Sequence, residues 1–391
     1  MTNQRTYFAL FISAILLLIY SCTNKQDWNA DAISILKETT LKKAEWAMKQ
    51  EPQTITSFRC ERSAGDEHDF YSEGDYWWPN PTDPEGPYIR KDGETNPDNF
   101  IEHRTAMIRF SKVVGSLASA YLITGDEKYV IQAFTHINAW FTDEETKMNP
   151  SLIYAQAIKG RTEGRGIGII DTIHLMEVAQ GILSMEKASS VDKSNLLKVK
   201  EWFTDYINWL TTHPNGIDEM NEKNNHGTCW VMQVASFAKL TNNESVLDFC
   251  KDRYKTILLK QMGNDGSFPL ELRRTKPYGY SLFNLDAMST ICQILSTPED
   301  NLWTYSTSDG LGIEKGIEFM YPYIKDKNTW TYPQDVMYWN DWPVAQPALI
   351  FAAKAYNNID YFNLWAQLAH DTEVYEVERN LPVRNPLIWL N

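Results

Sequence analysis

The sequence predicts an all-α fold in which helical hairpins form an (α/α) toroid around a central cleft. Apolar residues recur at helical spacing along most of the chain, and the helices come in pairs separated by short polar breaks. Alternating patterns typical of β-strands are scarce. Such hairpins stack as alternating inner and outer helices around a cleft. We expect one domain whose ring has seven hairpins or is incomplete. A helical bundle without a repeat is the alternative.

The first pair of helices is predicted at residues 101–123 and 127–141, with Thr124-Gly125-Asp126 as the break. Further helices are predicted at 168–185, 195–210, 231–240, 244–259, 281–295 and 343–356. Three long segments lack helical spacing, at 58–100, 142–167 and 211–225. The first is rich in proline, which excludes a regular helix, and long loops in a compact domain usually serve function. We expect such loops to cover the cleft.

The composition excludes several classes of protein. Of 391 residues, 51 are acidic and 37 basic, which gives a net charge of −14 at pH 7. This charge argues against a general nucleic-acid binder, which needs a basic surface for phosphate. With 43% apolar and 23% charged residues, the chain is neither disordered nor a multi-span membrane protein. Its 14 Trp and 20 Tyr residues are numerous enough to line a sugar groove as well as a core.

The N-terminal residues predict export. Arg5 precedes an apolar run at 8–20 that is too short to span a membrane and is typical of a signal peptide. The run ends in Ile19-Tyr20-Ser21-Cys22, which resembles the bacterial lipobox. We therefore expect residues 1–21 to be a lipoprotein signal peptide and 22–391 the mature domain, held at a membrane only by lipid on Cys22. The protein would be periplasmic or anchored at the outer membrane or cell surface. An ordinary secretory signal is the alternative.

The remaining cysteines do not indicate a metal site. Cys60, Cys229, Cys250 and Cys292 form no C-x-x-C pair, so structural zinc is not predicted. Export permits disulfides, and the sequence leaves the pairing of these cysteines open. We expect most of them to be buried as small apolar side chains.

Two motifs indicate an anion site. His226 lies in Asn224-Asn225-His226-Gly227-Thr228, at the expected start of a helix that Asn225 would cap, where the helix dipole favours an anion. A solvent-exposed histidine beside a cap is the alternative. Arg273, Arg274 and Lys276 lie within four residues of each other, in a segment where Pro277 and Gly279 predict a loop before a helix near Ser281. A solvated basic loop is the alternative there.

A third motif is the glycine-rich segment 159–168. No strand precedes it and it lacks the G-x-G-x-x-G spacing, so a nucleotide site is not indicated. We expect a loop where backbone or ligand approaches closely, with Arg161 or Arg165 available for carboxylates. Neither G-x-S-x-G nor H-E-x-x-H occurs, but a pair of carboxylates for glycoside hydrolysis is open. The candidates are Asp265, Glu271, Asp286, Asp335 and Asp341.

Several motifs together resemble the alginate lyase superfamily of α/α toroids. They are Asn225-His226-Gly227-Thr228, Glu271-Leu272 with Arg274-Thr275, Tyr280-Ser281 with Phe283-Asn284-Leu285, Tyr71 to Pro79, Gly164 to Ile170, and Gln346-Pro347-Ala348-Leu349. The resemblance extends over residues 58–352. It is closest to polysaccharide lyase family 38, whose members act on alginate or glucuronan.

The resemblance implies a role for each matched residue. Asn225, His226 and Arg274 would neutralise the substrate carboxylate, Tyr280 would protonate the glycosidic oxygen, and Tyr280 or His226 would be the base. Arg273 is the alternative to Arg274, because the spacing to Tyr280 is one residue shorter than in the related family 5 lyases. Substrate-binding residues would be Trp77, Trp78, Arg161, Arg165, Lys276 and Tyr278. No metal or cofactor is required if Arg and His neutralise the carboxylate, and a monomer is expected.

The implied activity is β-elimination of a polyuronate, with mannuronate-rich alginate as the expected substrate and glucuronan as the alternative. Negative charge on the protein would repel such a polymer unless basic residues converge on the cleft, where salt screens distant acids. The basic residues expected there are Lys159, Arg161, Arg165, Arg273, Arg274 and Lys276. A non-catalytic glycan-binding lipoprotein and a glycoside hydrolase on the same toroid are the alternatives from other classes.

Overall fold

Helices form nearly all of the regular structure in the computed structural model, which describes residues 26–390. The predicted signal peptide at 1–21 and Cys22 lie outside the described residues. In chain order the helices are α1 (Trp28–Ala47), α2 (Glu102–Thr124), α3 (Lys128–Phe141), α4 (Leu175–Met185), α5 (Lys193–Thr212), α6 (Pro214–Met220), α7 (Asn225–Thr241), α8 (Glu244–Thr256), α9 (Pro269–Leu272), α10 (Pro277–Leu295), α11 (Ile313–Lys325), α12 (Pro347–Tyr356), α13 (Ile359–Gln367) and α14 (Tyr375–Asn380). The strands are β1 (Tyr71–Glu73), β2 (Trp77–Trp78), β3 (Ile89–Arg90) and β4 (Tyr154–Ala157).

Burial separates these helices into an inner and an outer set. In α7, 14 of 17 residues are buried, whereas α8, which follows it, buries only Cys250 and Tyr254. A helix that is apolar on nearly every side belongs inside, and an amphipathic one covers it. The inner helices pack in sequence order, α2 on α4, α4 on α7, α7 on α10 and α10 on α12. This arrangement is the predicted all-α toroid.

The first helix connects the two ends of the series. Helix α1 packs along α2, and its Trp28 ring lies 5.5 Å from the ring of Phe362 in α13. Helices near both ends of the described chain therefore share one apolar core. Helix α2 is long and apolar enough to resemble a membrane span, but 72% of its apolar window is buried by this packing.

The structure corrects two of the predicted boundaries. Helix α10 begins at Pro277 rather than near Ser281, because proline is well tolerated in the first turn and the Asp335 carboxylate accepts hydrogen bonds from the amides of Tyr278 (2.8 Å) and Gly279 (2.9 Å). The segment 211–225 contains helix α6, whose N-terminus is capped by the imidazole of His213. Helices α1, α9, α11, α13 and α14 were not predicted.

The two other segments without helical spacing are loops, as predicted, and short strands join them. Strand β1 pairs in parallel with β4 through Tyr71 and Tyr154, and β2 pairs antiparallel with β3 through Trp77 and Arg90. The glycines at 164 and 168 allow close approach, because a Cβ at Gly164 would lie 1.9 Å from the carbonyl oxygen of Ile153. The loops are thus fixed to one another and cover one end of the toroid.

The cysteines behave as the sequence predicted. Cys60, Cys229, Cys250 and Cys292 are free and buried. Burial raises the pKa of the Cys229 thiol well above its usual value, so it is neutral and packs as a small apolar group.

A buried carboxyl connects α10 to α12 and provides a test of the packing. The Asp286 side chain is 1% exposed and accepts a hydrogen bond of 3.1 Å from the amide of Ala348 in the first turn of α12. Burial raises the pKa of Asp286 well above its usual value, so the carboxyl is neutral at pH 7.

We expect Asp286→Asn to keep nearly the wild-type free energy of unfolding, because a neutral amide also offers an oxygen to Ala348. Asp286→Ala should lower it by about 1–3 kcal/mol, since a buried N–H loses its partner. Urea unfolding at pH 7 measures both. Equal losses in the two variants would show that the carboxyl is ionised instead.

Candidate active site

A cleft of about 320 Å³ opens where the N-terminal ends of α7 and α10 meet the loop that contains β2 and β3. Its polar lining is more basic than the protein as a whole. Of the described residues, five arginines and three carboxylates line it: Arg90, Arg104, Arg165, Arg274, Arg379, Asp75, Asp171 and Glu222. Of the six basic residues predicted to converge here, only Arg165 and Arg274 line the cleft, and the other three arginines were not predicted.

Asn225 is held by a buried carboxylate. It is the first residue of α7, and Asn224, rather than Asn225 as predicted, caps the helix by accepting from the amide of His226 at 3.2 Å. Both the amide and Nδ2 of Asn225 donate to Glu271, at 2.7 and 2.8 Å. The side-chain amide is 2% exposed and its orientation is set by this pair of bonds. Asn225 can therefore present its remaining N–H to the cleft without rearrangement.

His226 is coupled to a second buried carboxylate. Its Nδ1 lies 2.8 Å from Oε1 of Glu219, which is in α6 and fully buried. Burial opposes the charged imidazolium, but the adjacent Glu219 outweighs burial and raises the pKa of His226 above its usual value. The pKa of Glu219 is also raised, in this case by burial, which outweighs the opposing effect of His226. The two groups form one titrating pair that leaves Nε2 of His226 for a ligand.

Tyr280 is in the first turn of α10 and lines the same cleft as His226. Its hydroxyl lies 2.8 Å from the hydroxyl of Tyr76 and accepts a bond of 3.2 Å from Nη2 of Arg274. The guanidinium of Arg274 also lies 4.4 Å from the centre of the Tyr280 ring. Tyr76 comes from the covering loop at 58–100, so this loop contacts the start of α10 at the Tyr280 hydroxyl.

The neighbouring cations do not bring the pKa of Tyr280 below its usual value. Burial raises the pKa of Tyr280 well above its usual value, the neighbouring Tyr76 adds to that effect, and Arg274 opposes both. Tyr280 therefore carries a proton at neutral pH in the unliganded protein. Burial is the larger effect because phenolate loses more hydration than one guanidinium restores.

The structure places Arg274, and not the alternative Arg273, in the cleft lining. Its Nε and Nη2 donate to the two carboxylate oxygens of Asp92, at 3.2 and 3.1 Å. Tyr280 and Asp92 together orient the guanidinium from two sides. Within residues 26–390, Nη1 of Arg274 makes no hydrogen bond and is available to a bound carboxylate.

The floor of the cleft is a buried ion network that the sequence analysis missed. Arg104, which is 1% exposed, donates to both oxygens of Asp75 at 3.0 and 2.7 Å and to Asp171 at 3.2 Å. Arg379 of α14 lies 2.5 Å from the same Asp75 carboxylate. Arg104 is in α2 and Arg379 near the C-terminus, so residues far apart in sequence share one carboxylate. Pairing offsets the desolvation of these charges.

One wall of the cleft carries Arg165 and Trp77. Arg165 donates through Nη2 to the amide oxygen of Gln156 at 2.9 Å, and Gln156 has a left-handed backbone (φ 50°). Strain of this kind persists only where the surroundings impose it. The guanidinium of Arg165 lies 5.9 Å from the centre of the Trp77 ring. The wall thus combines an indole face with a cation.

Four of the residues predicted to bind substrate do not line the cleft. Tyr278 is fully buried and its hydroxyl donates to the carbonyl of Tyr323 at 3.1 Å, because the first turn of α10 turns this side chain into the core. Lys276 is 4% exposed and paired with Glu376. Its charge is therefore compensated inside the protein and is not presented to a ligand.

The other two of the four support the covering loop from outside the cleft. The indole of Trp78 donates to the carbonyl of Glu94 at 2.9 Å, which makes it an anchor of the loop. Arg161 lies 5.0 Å from the ring centre of Trp77 and donates to the carbonyl of Tyr88 at 2.8 Å. It therefore backs the indole that lines the cleft.

Several site residues were not recognised in the sequence. Asp75 and Tyr76 lie inside a motif that carried the family resemblance, so that motif was the available signal. Glu219, Arg104 and Arg379 had none, because a charged residue in a helix is normally a surface residue. Their role depends on which helices the toroid brings together.

The site can neutralise a carboxylate and move a proton beside it. Asn225, His226 and Arg274 provide a neutral, a titratable and a permanently charged donor, and Tyr280 provides a phenol in the same cleft. A helical toroid with such a cleft is the arrangement that the sequence motifs predicted for a polysaccharide lyase.

Comparison with known proteins identifies the family. The family model named alginate lyase matches residues 54–330. A solved alginate lyase from Bacteroides ovatus is 34% identical, covering 91% of this chain and 93% of that chain, with a TM-score of 0.80. No curated protein matches the chain. The chain belongs to the alginate lyase family and is a polysaccharide lyase, which confirms the predicted resemblance.

More distant structures share the fold. Alginate lyase A1-III from Sphingomonas species A1 is 16% identical, covering 90% of this chain and 94% of that chain, with a TM-score of 0.54. A variant of alginate lyase A1-III complexed with tetrasaccharide is 14% identical, covering 90% of this chain and 93% of that chain, with a TM-score of 0.59. These matches confirm the all-α toroid. The finer placement in polysaccharide lyase family 38 stays a prediction.

The pairing of His226 with Glu219 makes a prediction about titration. In Glu219→Gln the charge that raises the pKa of His226 is gone, while burial, which lowers it, remains. The pKa of His226 should therefore fall, by about one pH unit or more. Titration of the imidazole Cε1 proton by NMR measures it.

Glu222→Gln is the matched control, because Glu222 also raises the pKa of His226 but makes no hydrogen bond to it. It should produce a smaller decrease. An unchanged midpoint in Glu219→Gln would show that Glu219 is neutral in the folded protein.

Proposed function

We propose that the protein cleaves a polyuronate by β-elimination, and that mannuronate-rich alginate is its substrate. The observation that carries this proposal is that Asn225, His226, Arg274 and Tyr280 line one cleft. The first two and the last two of these residues are separated by almost 50 positions in the sequence. The N-terminal ends of the inner helices α7 and α10 bring them together.

The carboxylate-binding step follows from the donors. The C5 proton of a uronate is weakly acidic, because an ionised carboxylate resists further negative charge. Asn225, His226 and Arg274 each direct a donor toward the cleft while a carboxylate outside it fixes their orientation. Such donors stabilise the enolate-like transition state more than the ground state, and that difference accelerates the reaction.

The proton steps are assigned to Tyr280 and His226. A protonated Tyr280 suits donation to the glycosidic oxygen as the C4–O bond breaks. In mannuronate and glucuronate the C5 proton lies on the same side as that oxygen. There Tyr280 first gives its own proton to solvent, then removes the C5 proton as phenolate stabilised by Arg274, and finally passes that proton to the glycosidic oxygen. In guluronate the proton lies on the opposite side, where His226 is the base.

The cleft electrostatics support a polyanionic substrate. The excess of arginine over carboxylate among the lining residues gives a local positive field, and the acids that make the whole chain negative are screened beyond about 8–10 Å at physiological salt. Trp77, backed by Arg161, offers a flat face for a sugar ring beside Arg165. Glucuronan is the alternative substrate, because it shares the stereochemistry of mannuronate at C4 and C5.

A glycoside hydrolase is less well supported. Asp265, Asp286, Asp335 and Asp341 do not line the cleft, and Glu271 is occupied by Asn225. Among the carboxylates that do line it, Asp75 and Asp171 are paired with Arg104. A hydrolase needs one protonated acid and one free carboxylate. A non-catalytic glycan-binding function would not explain why a phenol lies beside three hydrogen-bond donors that can bind a carboxylate.

The activity is tested with a panel of polymannuronate, polyguluronate and glucuronan. We expect 4,5-unsaturated uronate ends, detected by their ultraviolet absorbance, with polymannuronate cleaved fastest. Saturated reducing ends would identify a hydrolase. Binding without any product would identify a glycan-binding protein.

Tyr280→Phe should lower kcat on polymannuronate by at least about 100-fold, because the variant has no proton donor for the leaving oxygen. Tyr278→Phe is the matched control, since it removes a hydroxyl two residues away that points into the core. That control should lose about 1 kcal/mol of unfolding free energy and keep its activity. Activity retained in Tyr280→Phe would remove Tyr280 from the mechanism.

We also propose that the mature enzyme is an exported lipoprotein that acts as a monomer at the periplasmic or outer face of a membrane. The lipobox-like sequence ending at Cys22 supports this proposal.

Cys22→Ser should abolish incorporation of radiolabelled palmitate in a bacterial host and release the protein from the membrane fraction. Cys60→Ser, at a buried free thiol, should leave both unchanged. Label retained in Cys22→Ser would exclude Cys22 as the lipid attachment site.

A further inference from the structure

We infer that Asp92 is a positioning residue, which joins Arg274 of the proposed active site to Arg90 of the covering loop and directs both into the cleft. The inference rests on the proposed function, because it concerns how the site binds a polyuronate. Asp92 lies just after β3 and is not itself in the cleft lining, whereas Arg90 and Arg274 both are.

Four hydrogen bonds converge on the Asp92 carboxylate. Oδ1 accepts from Nη2 of Arg90 at 2.6 Å and from Nη2 of Arg274 at 3.1 Å. Oδ2 accepts from Nε of Arg274 at 3.2 Å and from the hydroxyl of Thr275 at 3.2 Å. One carboxylate therefore holds two guanidinium groups that come from segments more than 180 residues apart.

The backbone beside Asp92 is shaped for this contact. Gly93 has φ +78°, a conformation that other residues rarely adopt, and a Cβ there would lie 2.3 Å from the hydroxyl oxygen of Thr275. The loop can approach Thr275 this closely only with glycine at 93. The contact between Asp92 and Arg274 is thus part of how the loop closes over the cleft.

The geometry of Arg274 favours positioning over competition with substrate. Asp92 takes Nε and shares Nη2, while Nη2 also reaches Tyr280 and Nη1 is left without a hydrogen bond among residues 26–390. A substrate carboxylate can therefore bind Nη1 while Asp92 stays in place. Asp92 holds Arg90 while the Arg90 side chain stays 57% exposed. Arg90 can therefore contact the carboxylate of a neighbouring uronate in the same polysaccharide.

The charge balance agrees with this role. Two arginines side by side repel each other, and the carboxylate between them offsets that repulsion. Burial opposes ionisation of Asp92, but Arg274 and then Arg90 outweigh it and lower the pKa of the carboxyl below its usual value. Asp92 is therefore ionised in the folded protein near neutral pH.

Asp92→Asn tests the inference by steady-state kinetics on polymannuronate. We expect kcat to fall by about 10- to 100-fold and KM to rise, because Arg274 loses its orientation and Arg90 its anchor. Thr275→Val removes one of the four hydrogen bonds to Asp92. It should lower kcat and raise KM by less than Asp92→Asn does. Glu85→Gln is the matched control: it removes the same charge from the same loop, and the exposed Glu85 carboxylate lies 3.7 Å from Lys159.

A second measurement does not depend on activity. The Nε–H proton of Arg274, assigned by its absence in Arg274→Lys, should exchange slowly with solvent in the wild type and fast in Asp92→Asn by ¹⁵N NMR. Glu85→Gln should leave it slow. If the wild type cleaves no polyuronate, the proposed function fails while this measurement still decides the role of Asp92.

Two results would overturn the inference. Wild-type kcat and KM in Asp92→Asn, with an unchanged Arg274 signal, would show that other contacts orient the guanidinium. A lower KM in Asp92→Asn would show that Asp92 competes with the substrate carboxylate for Arg274.

Discussion

The site depends on one recurring interaction: most of the donors that face the cleft are each held by a carboxylate. The carboxylates come from different elements, and in each pair the donor has a defined direction before any ligand arrives. The pairs are Asn225 with Glu271, His226 with Glu219, Arg274 with Asp92, and Arg104 and Arg379 with Asp75.

This arrangement has an energetic consequence. A buried charge without a partner is costly, and removing one member of a buried pair typically costs about 3–5 kcal/mol. Carboxylates therefore compensate four of the five arginines that line the cleft, whereas Arg165 is bonded to Gln156. They also fix the donors in advance, so that little reorganisation is needed when charge develops on a substrate.

Tyr280, like Arg165, differs from the other cleft donors because no carboxylate is hydrogen-bonded to it. Among the described residues its hydroxyl is hydrogen-bonded only to Tyr76 and Arg274, and burial keeps it protonated. The three donors proposed to bind the substrate carboxylate are each paired with a carboxylate of the protein, whereas the phenol proposed to protonate the leaving oxygen is not. The covering loop supplies Tyr76 and Asp92, so the order of that loop and the state of the phenol are physically linked.

The sequence by itself determined the helical class, the paired helices and the identity of the chemical groups. Helical spacing is a local property, so α2, α3, α5 and α8 were predicted within a few residues. The donors Asn225, His226 and Arg274 and the phenol Tyr280 were found because each lies in a short contiguous motif. The tertiary structure alone decided which charges face inward. Glu219, Asp92 and Arg104 act on partners 7 to 182 residues away, and no local pattern records such a pairing. It also decided against Tyr278, because a step of two positions along α10 separates Tyr280, in the cleft, from Tyr278, in the core.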